Sequence, residues 1–396
     1  MPSGPRILLI AERFPPDLGG LARSGARTAG SLARLDAQVD VLTWTRTLPP
    51  GALQTLDAGE VAASARGATL HRLGLFGQTD TSMQHTLDVL DFLHSRHHYQ
   101  LVWGHYLSPP GFMAVTFAGL AGIPSTVSAR GNDVDQAMFP PGDFARLLWT
   151  LQRATVLTAA SGDLGRKMAM LLGCDPGIEV IPNAVDTTLF HPGPADPALR
   201  ERLGIAPGEL VLGFSGELRH KKGVPFLLSA LSEVRKVRPA CLLVIGEVRS
   251  REQEHLTTFR AEHPEDAARV LVTGRLDAPE DVAAHLRLCD VYLQPSLWDG
   301  MPNAMLEAMA CARVVVASDA GGIPEAIDSG HNGFLVPKAL LNHLGQAVVD
   351  VLSLSEERRA AIGAAARARI EERFQARAEA EALQRVLDRT IPKASS

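Results

Sequence analysis

The sequence predicts an α/β protein built from two Rossmann-like, doubly wound parallel-sheet domains. Three observations carry this. The chain has 396 residues, more than one ordinary core holds and enough for two domains of similar size. Short apolar runs alternate with helix-like stretches, the pattern of a parallel sheet covered on both faces. The alternation pauses in a Pro-rich stretch at 183–197 and then restarts, which marks a linker between two such units.

In the first half, the apolar runs at 6–14, 39–44, 101–106, 125–131, 155–161 and 178–185 read as strands. A helix is expected over 83–96, and an Ala- and Arg-rich one up to about Leu35. The segment 49–66 has no clear periodicity and receives no assignment. In the second half, strands are expected at 210–216, 241–247, 269–274, 290–296, 313–318 and 333–337. The tail over 355–387 is rich in Ala, Glu and Arg and reads as helix. Domain boundaries are placed at 1–185, 186–372 and 373–396.

Composition narrows the function classes. The chain is 46% hydrophobic and 21% charged, within the ordinary range for a soluble globular protein. Its net charge of −5 gives no overall attraction to nucleic acid, so no nucleic-acid partner is expected. Cys174, Cys241, Cys289 and Cys311 form no CxxC pair and no zinc-type spacing with histidine, which favours buried free thiols in a reducing compartment. The N-terminal apolar run is too short for a signal-peptide core or a membrane span, and a cytoplasmic protein is expected. The segment 21–35 lacks acids and would place Arg23, Arg27 and Arg34 on one helical face. That face is either simply solvated or a peripheral contact with the inner face of a membrane.

In doubly wound sheets ligands bind beyond the carboxyl ends of the strands, so the residues there are the candidates for chemistry. The strongest segment is 296–327. It sets Asp299 and Glu307 eight positions apart around Gly300, Met301, Pro302 and Asn303, a turn leading from a strand into a helix. The unpaired N–H groups of a helix start suit an anionic or hydroxyl-rich ligand, and a carboxylate one turn further in can accept two hydrogen bonds from a diol. The plain alternative is that both acids merely decorate a helix start. The second segment, 213–231, places Arg219, Lys221 and Lys222 after a strand ending in Gly216. Cations there fit a pyrophosphate, although the segment is neither a Walker A loop nor a GxGxxG fingerprint; a solvated loop is the alternative. In the third, Arg275 and Leu276 follow Gly274 and are placed to meet a base edge. The fourth is the turn carrying Gly19 and Gly20, where backbone can approach a phosphate or sugar closely, or which is only a flexible turn.

The stretches VIPNAVDTTLF, SGELRHKKG, WDGMPNAMLEAMA and SDAGGIPEAIDSGHNGFLVP, in this order, resemble the retaining GT4-type glycosyltransferases (glycosyl transferases group 1), which have the GT-B fold. The resemblance implies two Rossmann-like domains facing a cleft and a last helix, around 374–387, returning to the N-terminal domain. It implies that Lys222 and Arg219 hold a donor diphosphate, that Glu307 binds the nucleotide ribose, and that Asp299 contacts the donor sugar. The backbone from Gly300 to Asn303 would meet sugar hydroxyls, Arg275 and Leu276 would lie near the base, and Gly216, Gly19 and Gly20 would line the donor. Two departures stand out. Asp299 occupies a position where the family usually has Glu, and Arg130, in VSARGNDVD, stands where many relatives have a cleft histidine. His105 is the nearest alternative imidazole, and Arg130, His105 and Asp133 are carried as the acceptor side.

The implied reaction is glycosyl transfer from a nucleoside-diphosphate sugar to an acceptor, with retained configuration and an oxocarbenium-like transition state. No carboxylate nucleophile is evident facing the sugar, which favours front-face attack with a diphosphate oxygen as base. No Asp-x-Asp pair stands out at the relevant strand ends, so no metal or cofactor is expected. A nucleotide-sugar hydrolase or epimerase of the same fold, or a silent nucleotide-sugar binder, is the alternative.

Overall fold

In a computed structural model the structure describes residues 4–17 and 19–391. The chain forms two units. The first runs to Asn183 and takes up the chain again from Ala376, and the second spans Ala184–Gln375. Leu18, inside the Gly19–Gly20 turn region read above, lies outside the described residues.

The first unit is a sheet in the order β3-β4-β2-β1-β5-β6-β7-β8. Its strands are β1 (Arg6–Ala11), β2 (Gln38–Thr45), β3 (Leu53–Asp57), β4 (Ala68–Gly74), β5 (Leu101–His105), β6 (Ser125–Ala129), β7 (Val156–Ala159) and β8 (Glu179–Val180). All neighbours pair parallel except β3, which lies antiparallel on β4. The period-2 rule holds in β1. Ile7, Leu9 and Ala11 fill the core on one face, and Leu8 and Ile10 fill it on the other. The polar residues that end several apolar runs belong to loops, so the strands are shorter than the runs. Strands β3 and β4 were not expected. In β4 the polar pair His71–Arg72 interrupts the apolar run, and β3 is an edge strand that alternates between exposed and half-buried residues. The helix expected over 83–96 starts earlier, as Thr79–His97.

The Gly20–Arg34 helix corrects the expectation of a three-arginine basic face. Ala22, Ala26, Ala29 and Leu32 are fully buried along it. Arg27 turns to Glu379, with Nε 3.0 Å from both carboxylate oxygens, and Arg34 donates to the Ser31 hydroxyl at 2.8 Å. Arg27 therefore turns inward from the basic face, while Arg23 and Arg34 stay exposed on it. Among the described residues, no helix is long and apolar enough to cross a membrane.

The tail is two helices, Glu356–Arg373 and Ala376–Thr390, rather than one. Ala382, Leu383, Val386 and Leu387 of the second helix join the core made by Ile7, Val39 and Trp103. The same helix buries Glu379 completely.

The second unit is a parallel sheet in the order β11-β10-β9-β12-β13-β14. Its strands are β9 (Leu210–Ser215), β10 (Ala240–Ile245), β11 (Val270–Val272), β12 (Val291–Gln294), β13 (Val314–Ser318) and β14 (Phe334–Val336). Along β10, Cys241, Leu243 and Ile245 face one core, while Ala240, Leu242 and Val244 face the other. Strand order reverses between β9 and β12, and a crevice at the carboxyl ends of a doubly wound sheet opens at such a reversal. Helix and strand approach closely beside it: a Cβ at Gly213 would lie 2.2 Å from the Cys289 sulfur. Cys241, Cys289 and Cys311 are buried free thiols, and burial pushes Cys311 up to about 11 and Cys241 up to about 12. Cys174 is exposed, contrary to expectation, because it follows the last turn of the Gly162–Leu172 helix at the surface.

Removing the Glu379 carboxylate would leave Arg27 without its paired carboxylate, and the buried Arg130 with the more weakly acting Asp133 as its remaining counter-charge. Glu379→Ala should therefore destabilise the protein by about 3 kcal/mol or more in urea unfolding. A change under about 1 kcal/mol would mean that the network does not hold the last helix.

Candidate active site

The loops after β9 and β12 form the polar centre of the second unit. After β9 the chain turns at Gly216, whose φ of 118 lies where side chains are strained, and an added Cβ there would meet nothing within 4 Å. Arg219 leads into a single 3₁₀ turn, His220–Lys222, which ends at Gly223. Gly223 lies so close to the loop after β12 that an added Cβ would sit 2.1 Å from the Pro295 carbonyl oxygen. The Leu297 N–H donates to the Lys221 carbonyl at 2.8 Å. Fastened in this way, the two loops bring the Lys222 ammonium onto the Asp299 carboxylate in an ion pair. Burial acts to raise the Asp299 pKa, but the charges of Lys222 and Lys221 and the hydrogen bonds from Lys222 and Ser296 outweigh it and hold the carboxyl below its ordinary value.

A polar chain that the sequence reading missed stands behind Asp299. The Ser215 N–H donates to the Tyr292 hydroxyl at 3.3 Å, and that hydroxyl donates to Gln294 Oε1 at 3.1 Å. Gln294 Nε2 donates to Ser296 Oγ at 2.8 Å, and Ser296 Oγ to Asp299 Oδ2 at 3.4 Å. The signal was present: Gln294 is a buried polar residue in a strand with neighbours on both sides, where an unpaired amide is costly. Gly321 supports the Asp299 backbone from below, since a Cβ there would lie 1.7 Å from the Asp299 carbonyl oxygen.

The Asn303–Ala310 helix begins directly after Pro302 and presents the N–H groups of its first turn. Glu307 lies one turn in and is buried. Met301 does not present its side chain to a ligand, because it packs into the core with Met305 and Leu306. Arg219 is paired with Glu217 at 2.7 Å, and Glu217 also takes Arg249 at 3.0 Å. These pairs are more than one-third exposed, and such pairs are worth only about 0–1 kcal/mol. Arg275 is paired with Asp277 at 2.6 Å in the same exposed manner, and Leu276 packs on the core. The ends of β9, β10 and β11 are also joined. Gly246 packs against the Gly216 carbonyl, and its N–H donates to the Thr273 hydroxyl at 3.1 Å, next to Gly274.

In the first unit, Gly19 caps the Gly20–Arg34 helix at φ 110, again with open space where a Cβ would be. Arg130 is not a solvent-facing ligand group, and this corrects the reading of it as an acceptor contact. It is buried and donates to the Ser24 hydroxyl and to Asn183 Oδ1, both at 2.9 Å, and to the Ile181 carbonyl at 3.2 Å. Burial and the neighbouring Arg27 lower its pKa to about 10, against Glu379 and Asp133. Asp133 is likewise buried and accepts the N–H groups of Leu107, Arg130 and Gly131 at 3.1 to 3.2 Å, which ties the loop after β5 to the loop after β6. Burial pushes its pKa up despite those bonds. His105, at the end of β5, is fully buried, and neither ring nitrogen has a hydrogen-bond partner among the described residues. Burial, Arg130 and Arg27 hold it neutral. Tyr106 follows at φ 110, a strained conformation of the kind that clusters at functional sites.

Residues 209–353 match the family model described as glycosyl transferases group 1, and residues 19–184 match that of the glycosyl transferase 4-like domain. A GDP-mannose-dependent alpha-(1-6)-phosphatidylinositol monomannoside mannosyltransferase of Mycobacterium tuberculosis is 29% identical over 376 residues, covering 91% of this chain and 92% of that one. A D-inositol 3-phosphate glycosyltransferase of Kineococcus radiotolerans is 28% identical, covering 96% and 93%. The crystal structure of Anabaena HepE in complex with UDP and glucose superposes with a TM-score of 0.77 at 19% identity, covering 96% and 99%; this is a likeness of fold.

Lys222→Met would leave Asp299 buried without its cation, so the carboxyl pKa should rise. A depressed carboxyl contributes stability that is present above its unfolded pKa near 4 and is lost as pH falls through the lower folded pKa. The variant should lose about 2–3 kcal/mol at pH 7, and the gap to the parent should close on acidification as Asp299 is protonated in both. A gap independent of pH in parallel denaturant series would contradict the pairing.

Proposed function

We propose, from the premise that this chain belongs to the glycosyl transferases group 1 family and has the GT-B fold, that it transfers a hexosyl group with retained configuration from a nucleoside-diphosphate sugar held at the ends of β9 and β12. The observation that carries this reading is the Lys222–Asp299 pair at the strand-order reversal of the second unit, with Glu307 on the adjoining helix.

In this reading Lys222 and Arg219 take the donor diphosphate. As the glycosyl bond breaks, negative charge grows on the departing diphosphate, and fixed cations stabilise that charge more than the ground-state charge. Asp299, released from Lys222, accepts a hydrogen bond from a sugar hydroxyl. Being one methylene shorter than Glu, it draws that hydroxyl closer to the backbone from Gly300 to Asn303. Glu307 accepts the two ribose hydroxyls, and Arg275 and Leu276 border the base. Gly216 leaves its backbone open to close approach. The acceptor hydroxyl attacks from the face that the diphosphate leaves, and a diphosphate oxygen takes its proton. No step needs a metal.

GDP-mannose is the donor to test first, and a phosphorylated inositol or an inositol-bearing lipid is the first acceptor class. The support is that relatives matched over nine-tenths of the chain carry those names. The loops held by Asp133 form the acceptor side, with the buried His105 and Arg130 acting beneath them as their support.

A thermal-shift screen of nucleoside diphosphates and their sugars decides the donor. A cognate donor at 100 times its Kd should stabilise by about 2.7 kcal/mol, with GDP-mannose ahead of UDP-glucose. If UDP-glucose wins, the donor assignment is wrong; if none binds, the whole reading is. With the cognate pair, Lys222→Met should lower kcat by about 10²–10³. Unchanged turnover would remove Lys222 from the mechanism.

A further inference from the structure

We propose that His220, Glu252 and His255 form a binding site for a divalent transition-metal ion, with Zn²⁺ the ion that their chemistry favours. One ligand atom from each residue lies within 4.8 Å of the other two. Sequence spacing cannot show this, because His220 follows β9 and the other two follow β10. Glu252 closes the short 3₁₀ turn Ser250–Glu252, and His255 lies on the first turn of the Gln253–Glu262 helix.

The two loops are fastened before any ion arrives. Leu218 and Val248 form a parallel bridge. The Leu218 N–H donates to the Glu247 carbonyl at 2.8 Å, and the Arg249 N–H donates to the Leu218 carbonyl at 3.2 Å. The Arg249 side chain crosses to Glu217 at 3.0 Å. Little ordering is left for an ion to impose. The Glu252 carboxylate is buried, with the His255 imidazole 3.7 Å away. A buried carboxylate is costly without a cation close by, and a bound ion would supply one.

Metal–ligand distances near 2.1 Å place ligand atoms about 3–3.5 Å apart, so side-chain rotation alone closes the set. The rings of His220 and His255 already lie at 22° to one another with centroids 6.4 Å apart. Two imidazole nitrogens with one carboxylate oxygen suit Zn²⁺, Co²⁺ or Ni²⁺ rather than Mg²⁺ or Ca²⁺, and water fills the remaining positions. His220 opens the turn that ends in Lys222, and its ring lies 6.5 Å from that of Trp298, next to Asp299. An ion held here braces the loop that carries Lys222. The ion takes no part in glycosyl transfer, and the site stands whether or not the donor reading does.

Tag-free protein titrated with Co²⁺ tests the site without any assay of activity. A visible d–d band should saturate at about one equivalent and be abolished by Zn²⁺. His220→Ala and His255→Ala should each weaken binding by more than the ~10–100-fold typical of losing an outer partner. Glu252→Gln should weaken it comparably. Both histidines are solvent-accessible, so their alanine variants should keep the fold, which circular dichroism of each variant checks. The absence of a saturable band, or affinity unchanged in both histidine variants, overturns the site.

Discussion

The Lys222–Asp299 ion pair is the contact on which the second unit's chemistry rests. It joins the two loops that leave the sheet where strand order reverses. Two unit charges about 4 Å apart attract by ~4 kcal/mol at an effective dielectric of 20, enough to hold a half-buried carboxylate ionised against the cost of burial. The backbone enforces the meeting. Gly223 packs on Pro295, Leu297 hydrogen-bonds to Lys221, and Gly321 packs beneath Asp299, so neither loop can withdraw without losing these contacts. In the proposed reading, a cation fixed in this way would meet the donor diphosphate already in place, the kind of preorganisation that stabilises developing charge.

The first unit follows the same logic with charge turned inward. Arg27 and Arg130, close to Glu379 and Asn183, bind the Gly20–Arg34 helix to the last helix and to the segment after β8. A lysine would not substitute simply for Arg130, whose planar fork reaches a hydroxyl, an amide and a carbonyl at once. The loops after β5 and β6, stitched together by Asp133, are held by the same body of polar contacts.

Much of this was legible in the sequence, for identifiable reasons. Buried parallel strands are near-continuous apolar runs, so β1, β5, β9, β10 and β13 could be read directly. Strand β4 could not, because His71 and Arg72 break its run, and the edge strand β3 has no buried face to leave a pattern. Lys222 and Asp299 could be singled out because each follows a strand closely, and Glu307 because it lies one turn into the helix that comes next. The roles of Arg130 and Arg27 were not, because their partners Asn183 and Glu379 lie far away in sequence. The same non-locality hid the meeting of His220 with Glu252 and His255. The Tyr292–Gln294–Ser296 chain could have been found, since a glutamine at the buried end of an apolar strand asks for a partner.

The most direct test of the central claim is a crystal structure with an intact nucleoside-diphosphate sugar bound. The account predicts the diphosphate within hydrogen-bonding distance of Lys222 and Arg219, the ribose hydroxyls on Glu307, and the sugar against Asp299 and the backbone from Gly300 to Asn303. A nucleotide bound elsewhere, or one whose diphosphate leaves the Lys222–Asp299 pair untouched, would contradict it.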